Sequence, residues 1–93
     1  MTIFYVYMLE CADGSLYTGY TNDLEKRLAA HNEGKASKYT RSKLPVSLVY
    51  LEACENKSAA LRREAAIKKL PRTKKLALLS SPRTLDPSKP IDP

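Results

Sequence analysis

The sequence predicts an α+β fold: a three-stranded antiparallel sheet with its first strand central, flanked by helices, in the order β-β-α-β-α-α. Three observations lead there. Two short runs rich in Ile, Val, Tyr and Phe are joined through Asp13-Gly14, a strong hairpin signal. A helical segment then separates this hairpin from a third β-prone run, which allows a right-handed crossover to return the third strand beside the first. That strand is then parallel to the second and antiparallel to the first. Two further helical segments follow and can cover a face of the sheet.

Each element has its own signal. Residues 3–9 and 16–20 are the β-prone runs of the hairpin. Asn22 with Glu25 three residues later resembles a capping box that opens a helix to about Glu33, and Gly34 suits the position after its end. Residues 35–45 read as a basic loop and residues 46–54 as the third strand. Asn56 or Ser58 can cap a second helix to about Leu70, and Pro71 interrupts before a short third helix ending near Ser80. Residues 1–80 are expected to form one domain. The segment 81–93 holds four of the six prolines and reads as a disordered tail.

Hairpin register decides which side chains share a face. With a two-residue turn at Asp13-Gly14, Tyr7 faces Tyr20 and Tyr17 falls on the opposite face. With a three-residue loop, Ala12-Asp13-Gly14, and Gly14 in the left-handed bulge position, Tyr7 faces Gly19 and Leu9 faces Tyr17. The sequence permits either. The second is favoured because it leaves space beside Tyr7 over a residue with no side chain.

At 93 residues the chain has room for one modest core. Its formal net charge is +6, unevenly placed: residues 1–23 carry three acids and no Lys or Arg, residues 24–43 six bases and two acids, and residues 55–83 nine bases and two acids. Such a field suits a polyanionic partner, nucleic acid or a membrane surface on charge alone. The apolar start has no basic region before it and is far too short to span a bilayer, so a cytoplasmic location is expected. Cys11 and Cys54 read as reduced thiols, and one His without a C-x-x-C pattern argues against a structural zinc site.

Five residues stand out from this background. Tyr7 and Tyr17 can be ordinary half-buried strand aromatics or part of a site. Leu24, Arg27, Leu28 and His31 fall on one helical stripe at about 100° per residue, and half of it is basic. Arg27 and His31 can flank the stripe and reach solvent, or they can point at the sheet edge, where Arg27 would clamp a phosphate and His31 would move a proton near neutral pH. Glu64 lies between Ala60 and Ile67 on an apolar stripe. It can pair with Lys68 one turn on, or its carboxylate can help to hold a Mg²⁺-type cation.

In the same order along the chain, Tyr5-Val6-Tyr7, Tyr17-Thr18-Gly19, Arg27 and His31 in Arg-Leu-Ala-Ala-His, and Glu64 resemble the GIY-YIG nuclease domain, specifically its small stand-alone bacterial members, over about residues 2–79. The resemblance implies a three-stranded antiparallel sheet with helices around it and cleavage of DNA phosphodiester bonds with a single divalent cation, Mg²⁺ or Mn²⁺. It implies that Tyr7 activates or orients the attacking water, His31 helps to take the tyrosine proton, Tyr17 contacts the scissile phosphate or water, Arg27 stabilises phosphoryl charge and Glu64 holds the metal. Three departures are visible. Tyr5 stands for the first glycine of the motif, Thr18 for an apolar β-branched residue, and residues 65–80 lack the Asn that many family nucleases carry after the metal Glu.

The remaining positive charge frames this set. Lys35, Lys38, Arg41 and Lys43 surround Tyr39, which can either be a solvated loop or meet a backbone and stack on an unpaired base. Arg72, Lys74 and Lys75 extend the track. Left without a separate sequence-reading module, cleavage is expected to be structure-selective, poorly selective or guided by a protein partner, in DNA repair or recombination. The alternatives are a nucleic-acid-binding module of the same fold with weak or no catalysis, and an interaction protein whose helices dock an acidic partner.

Overall fold

Alternation in the hydrophobic run that begins the chain makes its central strand two-sided, and the architecture follows from that. The computed structural model describes residues 3–79. Strand β1 (Phe4–Glu10) pairs antiparallel with β2 (Leu16–Thr21) on one side and with β3 (Ser47–Cys54) on the other, giving the order β2-β1-β3 with β1 central, as expected. Helix α1 (Leu24–Asn32) and the one-turn α2 (Lys38–Arg41) fill the crossover to β3. Helices α3 (Lys57–Lys68) and α4 (Arg72–Leu79) follow it.

Successive residues of β1 feed two separate cores because side chains alternate across a sheet. Val6 and Met8 pack with Tyr50, Ala60 and Ile67 on the side covered by α3 and α4. Tyr7 and Leu9 pack with Cys11, Val46 and Leu51 on the other side, where Leu24 and Leu28 of α1 close the layer. Full burial of a side chain such as Ile67 contributes about 1.5–3 kcal/mol. Neither core is large, which suits a chain of this size.

The hairpin takes the odd-length loop. Cys11 N–H donates to the Ser15 carbonyl at 2.8 Å and Gly14 N–H to the Cys11 carbonyl at 2.9 Å, with Gly14 at φ +85°. Ala12-Asp13-Gly14 is therefore the three-residue turn with a glycine in the left-handed position, which sets Tyr7 opposite Gly19 and Leu9 opposite Tyr17. The Asp13 carboxylate reinforces it by accepting from Ser15 N–H at 3.0 Å and Ser15 Oγ at 2.6 Å.

Two local expectations are corrected. The N-cap of α1 is Asp23, whose carboxylate accepts from Lys26 N–H at 3.2 Å, in place of the Asn22 capping box. Thr21 explains the shift of one residue: its hydroxyl accepts from Asp23 N–H at 3.0 Å and fixes the chain's entry one position later. The helix does end as the sequence suggests. Gly34 N–H donates to the His31 carbonyl and Lys35 N–H to that of Ala30, a Schellman closure that needs the φ of +76° found at Gly34.

The second correction concerns the basic loop. Ser37 caps α2 within it, accepting from Tyr39 N–H through its hydroxyl at 3.1 Å. Asn56 caps α3 by accepting from Ala59 N–H at 2.8 Å, and the Pro71 carbonyl receives Lys74 and Lys75 N–H at the start of α4. The segment 81–93, expected to be a disordered tail, lies outside the described residues.

Candidate active site

The absence of a side chain at Gly19 creates the space on which the site depends. Tyr7 is fully buried, and its phenol lies across β2 so closely that a Cβ at position 19 would stand 2.5 Å from the hydroxyl oxygen and 2.7 Å from Cζ. Helix α1 meets the phenol there. His31 Nε2 lies 2.9 Å from the Tyr7 hydroxyl, and Arg27 Nε donates to the same oxygen at 3.4 Å. The basic half of the α1 stripe thus converges on Tyr7 of the central strand. His31, fully buried, does not reach solvent.

Tyr17 shares the face, as the register requires. Its ring centroid lies 6.4 Å from that of Tyr7 and 5.1 Å from that of His31, the latter edge-on. On its outer side Tyr17 stacks with Tyr39 of α2 at 6.0 Å. Tyr39, 43% exposed, carries Lys43 Nζ over its ring at 4.8 Å. Three tyrosines and a histidine therefore run from the buried hydroxyl to the surface.

Burial sets the protonation states. Tyr7 has its pKa raised, first by desolvation and then by Tyr17 and Glu64, although the Arg27 hydrogen bond and charge pull the other way. His31 is pushed down by burial and by the nearby Arg27 charge. With its pKa pushed below the ordinary value, His31 supplies no fixed positive charge at neutral pH to lower that of the tyrosine. What the pair offers instead is a short donor–acceptor contact.

Glu64 reaches the neighbourhood from α3. Its side chain is only 17% exposed, and its charge contributes to raising the Tyr7 pKa. It also makes the intrahelical pair with Lys68, at 3.6 Å, the first of the two readings of this residue. An i, i+4 pair of this kind on a helix is worth only a few tenths of a kcal/mol. Among the described residues no group of three or more His, Cys, Asp or Glu gathers as a metal cage. The Glu64 carboxylate, largely covered and the single acid at this place, would fit a hard cation that keeps waters and takes its other ligands from phosphate oxygens.

The basic residues are less uniform than their sequence suggests. Lys75 joins Lys68, Tyr17, Thr18 and Tyr39 around a shallow hollow of about 230 Å³ beside the first half of β2. A second hollow, of about 380 Å³, lies along its last residues and includes Arg27, Asn22 and Lys57. Other charges are tied elsewhere. Lys43 pairs with Asp13 at 2.9 Å, holding that carboxyl well below the usual range, while Lys35 lies 3.7 Å from Glu33 and Arg72 donates to the Gly14 carbonyl at 3.0 Å. The Arg41 stem lies against Gly34, and Lys38 and Lys74 are exposed.

Sequence reasoning missed Thr40 and Lys57. Thr40 is fully buried, with Oγ1 2.9 Å from His31 Nδ1, but it lies in a four-residue helix too short to show a hydrophobic period. Lys57 sits just after the Asn56 cap, where a lysine carries no signal.

Comparison with known families settles what this arrangement belongs to, because the GIY-YIG catalytic domain matches residues 3–77. The chain is a member of the GIY-YIG family. It is 61% identical to the UPF0213 protein CPE1444 of Clostridium perfringens over 77 residues, which is 83% of each chain. It is 58% identical to the UPF0213 protein SpyM50708 of Streptococcus pyogenes, covering 83% of this chain and 85% of that one. The solution NMR structure of the UPF0213 protein BH0048 of Bacillus halodurans superposes with a TM-score of 0.58 at 47% identity, over 87% of this chain and 86% of that one. The departures from the GIY-YIG motif now have a setting. Tyr5 joins the partly buried residues around the Tyr7 core, and Thr18 faces the α3 side as a buried residue whose hydroxyl finds no partner among the described residues.

Proposed function

We propose that the protein is a divalent-metal-dependent endonuclease that hydrolyses DNA phosphodiester bonds, with Tyr7, Tyr17, Arg27, His31 and Glu64 as its working residues. The observation that carries this reading is the convergence of Arg27 and His31 from one helix on the buried Tyr7 hydroxyl. A structural tyrosine needs one partner, whereas this one has a fixed cation on one side and a neutral proton acceptor on the other.

Each residue has a task that its position supports. The Tyr7 oxygen orients the attacking water and, by passing its own proton to His31 Nε2, can receive one from that water. Arg27 places permanent positive charge beside the same oxygen, where negative charge grows as the phosphorus becomes pentacovalent. Tyr17, between this centre and the surface, contacts the phosphate or the water. Glu64 would hold Mg²⁺ or Mn²⁺, which supplies charge neutralisation at the phosphate. Burial holds the free phenol above its ordinary pKa, so in this reading its proton passes to His31 as the water attacks.

The two hollows along β2 give the nucleic acid a path, with Lys75, Tyr39 and Lys68 at one end and Arg27 and Lys57 at the other. Lys35, Lys38, Arg41, Lys43, Arg72 and Lys74 add a broader field that favours encounter with phosphates. Selectivity then comes from DNA structure or from a protein partner, in repair or recombination. Among the described residues no helix is long and apolar enough to cross a membrane, and both cysteines are free, which suits work in the reducing cytoplasm.

A second reading follows from the missing Asn after Glu64: a nucleic-acid-binding module with weak or absent catalysis. One experiment separates them. Purified protein is incubated with branched, nicked and single-stranded DNA plus Mg²⁺ or Mn²⁺, alongside Tyr7→Phe and Glu64→Ala. Cleavage by the wild type alone supports the nuclease. Metal-independent, salt-sensitive binding without cleavage supports the module.

A further inference from the structure

We propose that Thr40 is a positioning residue for the Tyr7–His31 pair: its hydroxyl holds the imidazole as the Nδ1–H tautomer and so keeps the Nε2 lone pair aimed at the Tyr7 hydroxyl. Four contacts form an unbranched chain. Arg27 Nε lies 3.4 Å from the Tyr7 oxygen, that oxygen 2.9 Å from His31 Nε2, His31 Nδ1 2.9 Å from Thr40 Oγ1, and Thr40 Oγ1 3.4 Å from the Ser37 carbonyl oxygen. The two ends fix its direction. A guanidinium N–H can only donate and a carbonyl can only accept.

Between those ends one assignment satisfies every contact. Tyr7 accepts from Arg27 and donates to Nε2; Nδ1–H donates to Thr40 Oγ1; Thr40 donates to the Ser37 carbonyl. The opposite tautomer turns the Thr40 proton toward Nδ1 and leaves its contact with Ser37 unmade. In that form Nε2 no longer accepts the Tyr7 proton, which leaves a fully buried hydroxyl donor without an acceptor among the contacts described, at a cost of about 1–3 kcal/mol, whereas the Ser37 carbonyl keeps its bond from Arg41 N–H. Burial and the Arg27 charge keep the ring neutral, so the choice lies between these two forms.

Thr40 itself has little freedom. Helix α2 is closed by Arg41 N–H on the Ser37 carbonyl at 3.0 Å and by Lys43 N–H on the Thr40 carbonyl at 2.9 Å. Ala12 N–H on the Lys43 carbonyl at 2.9 Å, together with the Lys43–Asp13 ion pair, ties this segment to the hairpin turn. The hydroxyl is thus held by the same turn that sets the register of Tyr7. Hydrogen bonding at one imidazole nitrogen fixing the role of the other is a general device of histidine sites.

The catalytic value of the arrangement rests on the nuclease reading, whereas the tautomer belongs to the free protein and can be measured without cleavage. His31 is the single histidine of the chain, so ring-nitrogen correlations in an NMR spectrum of uniformly ¹⁵N-labelled protein report it alone. At a pH of about 8, well above the ordinary histidine value, wild type should show a protonated, pyrrole-like Nδ1 and a pyridine-like Nε2. Thr40→Val, which keeps the shape and removes the acceptor, should shift population to the Nε2–H form, and Thr40→Ser should restore the wild-type pattern. A wild-type ring protonated at Nε2, or a Thr40→Val spectrum identical to wild type, would overturn the proposal. If Thr40→Val does not fold, the wild-type spectrum still decides. Failure of wild type to cut any DNA would count against the nuclease reading and leave the tautomer result standing.

Discussion

The phenol of Tyr7 occupies the space that any side chain at Gly19 would fill, with its oxygen 2.5 Å from the position of a Cβ there. The approach is backbone-close because the two residues are directly opposed in the antiparallel pair. Gly19→Ala must therefore displace the phenol from its contacts with His31 and Arg27. Overpacking of this kind costs about 1–3 kcal/mol. Denaturant unfolding should show that loss, and any cleavage activity should fall much further than the stability does, because the hydroxyl moves.

Thr18 points the other way and carries an opposite prediction. Its hydroxyl is the one buried side-chain polar atom without a partner among the described residues. A buried, unpaired hydroxyl costs about 1–3 kcal/mol. Thr18→Val should raise the unfolding free energy by about 1 kcal/mol or more while leaving the Tyr7 face intact; a decrease in stability would mean that the hydroxyl is hydrogen-bonded in solution.

Because His31 is depressed in the fold, the unfolded chain binds its proton more readily below the ordinary value of about 6.5. The stability this group contributes is complete above that pH and is lost as the pH falls toward the folded value. Urea unfolding of wild type should weaken between about pH 7 and pH 5.5, and His31→Asn should lose that part of the slope. Equal slopes in the two proteins would contradict the buried neutral imidazole.

Lys75 lines the hollow beside Tyr17 and Tyr39, whereas Arg72 is held by the Gly14 carbonyl. If DNA phosphates follow that hollow, Lys75→Ala should lower affinity and reduce the slope of log K against log salt by about 1. Arg72→Ala should disturb the slope less. The reverse order would place the backbone path elsewhere.

Much of this was readable in the chain, for identifiable reasons. The hairpin register was one of two that Asp13-Gly14 permits, favoured by the absence of a side chain at Gly19, and the antiparallel sheet with β1 central followed from the crossover. Arg27 and His31 announced themselves as basic residues on an otherwise apolar stripe. Thr40 did not, since α2 has only four residues and Thr40 meets His31 through tertiary packing alone. The Asp23 cap depended on a Thr21 hydroxyl whose direction no pattern specifies. Nor could sequence give the direction in which Tyr7 titrates, because that is set by how completely the phenol is buried.

The account stands or falls on whether the Tyr7 hydroxyl does chemistry, and Tyr7→Phe removes that one oxygen from a ring the core already holds. Single-turnover cleavage of DNA with Mg²⁺ or Mn²⁺ should be measured for both proteins, with binding affinity determined separately without metal. The predicted result is a fall in the cleavage rate of about 10²-fold or more, the range for losing a group that moves a proton in the transition state, at nearly unchanged affinity. Equal cleavage rates for wild type and Tyr7→Phe would contradict it.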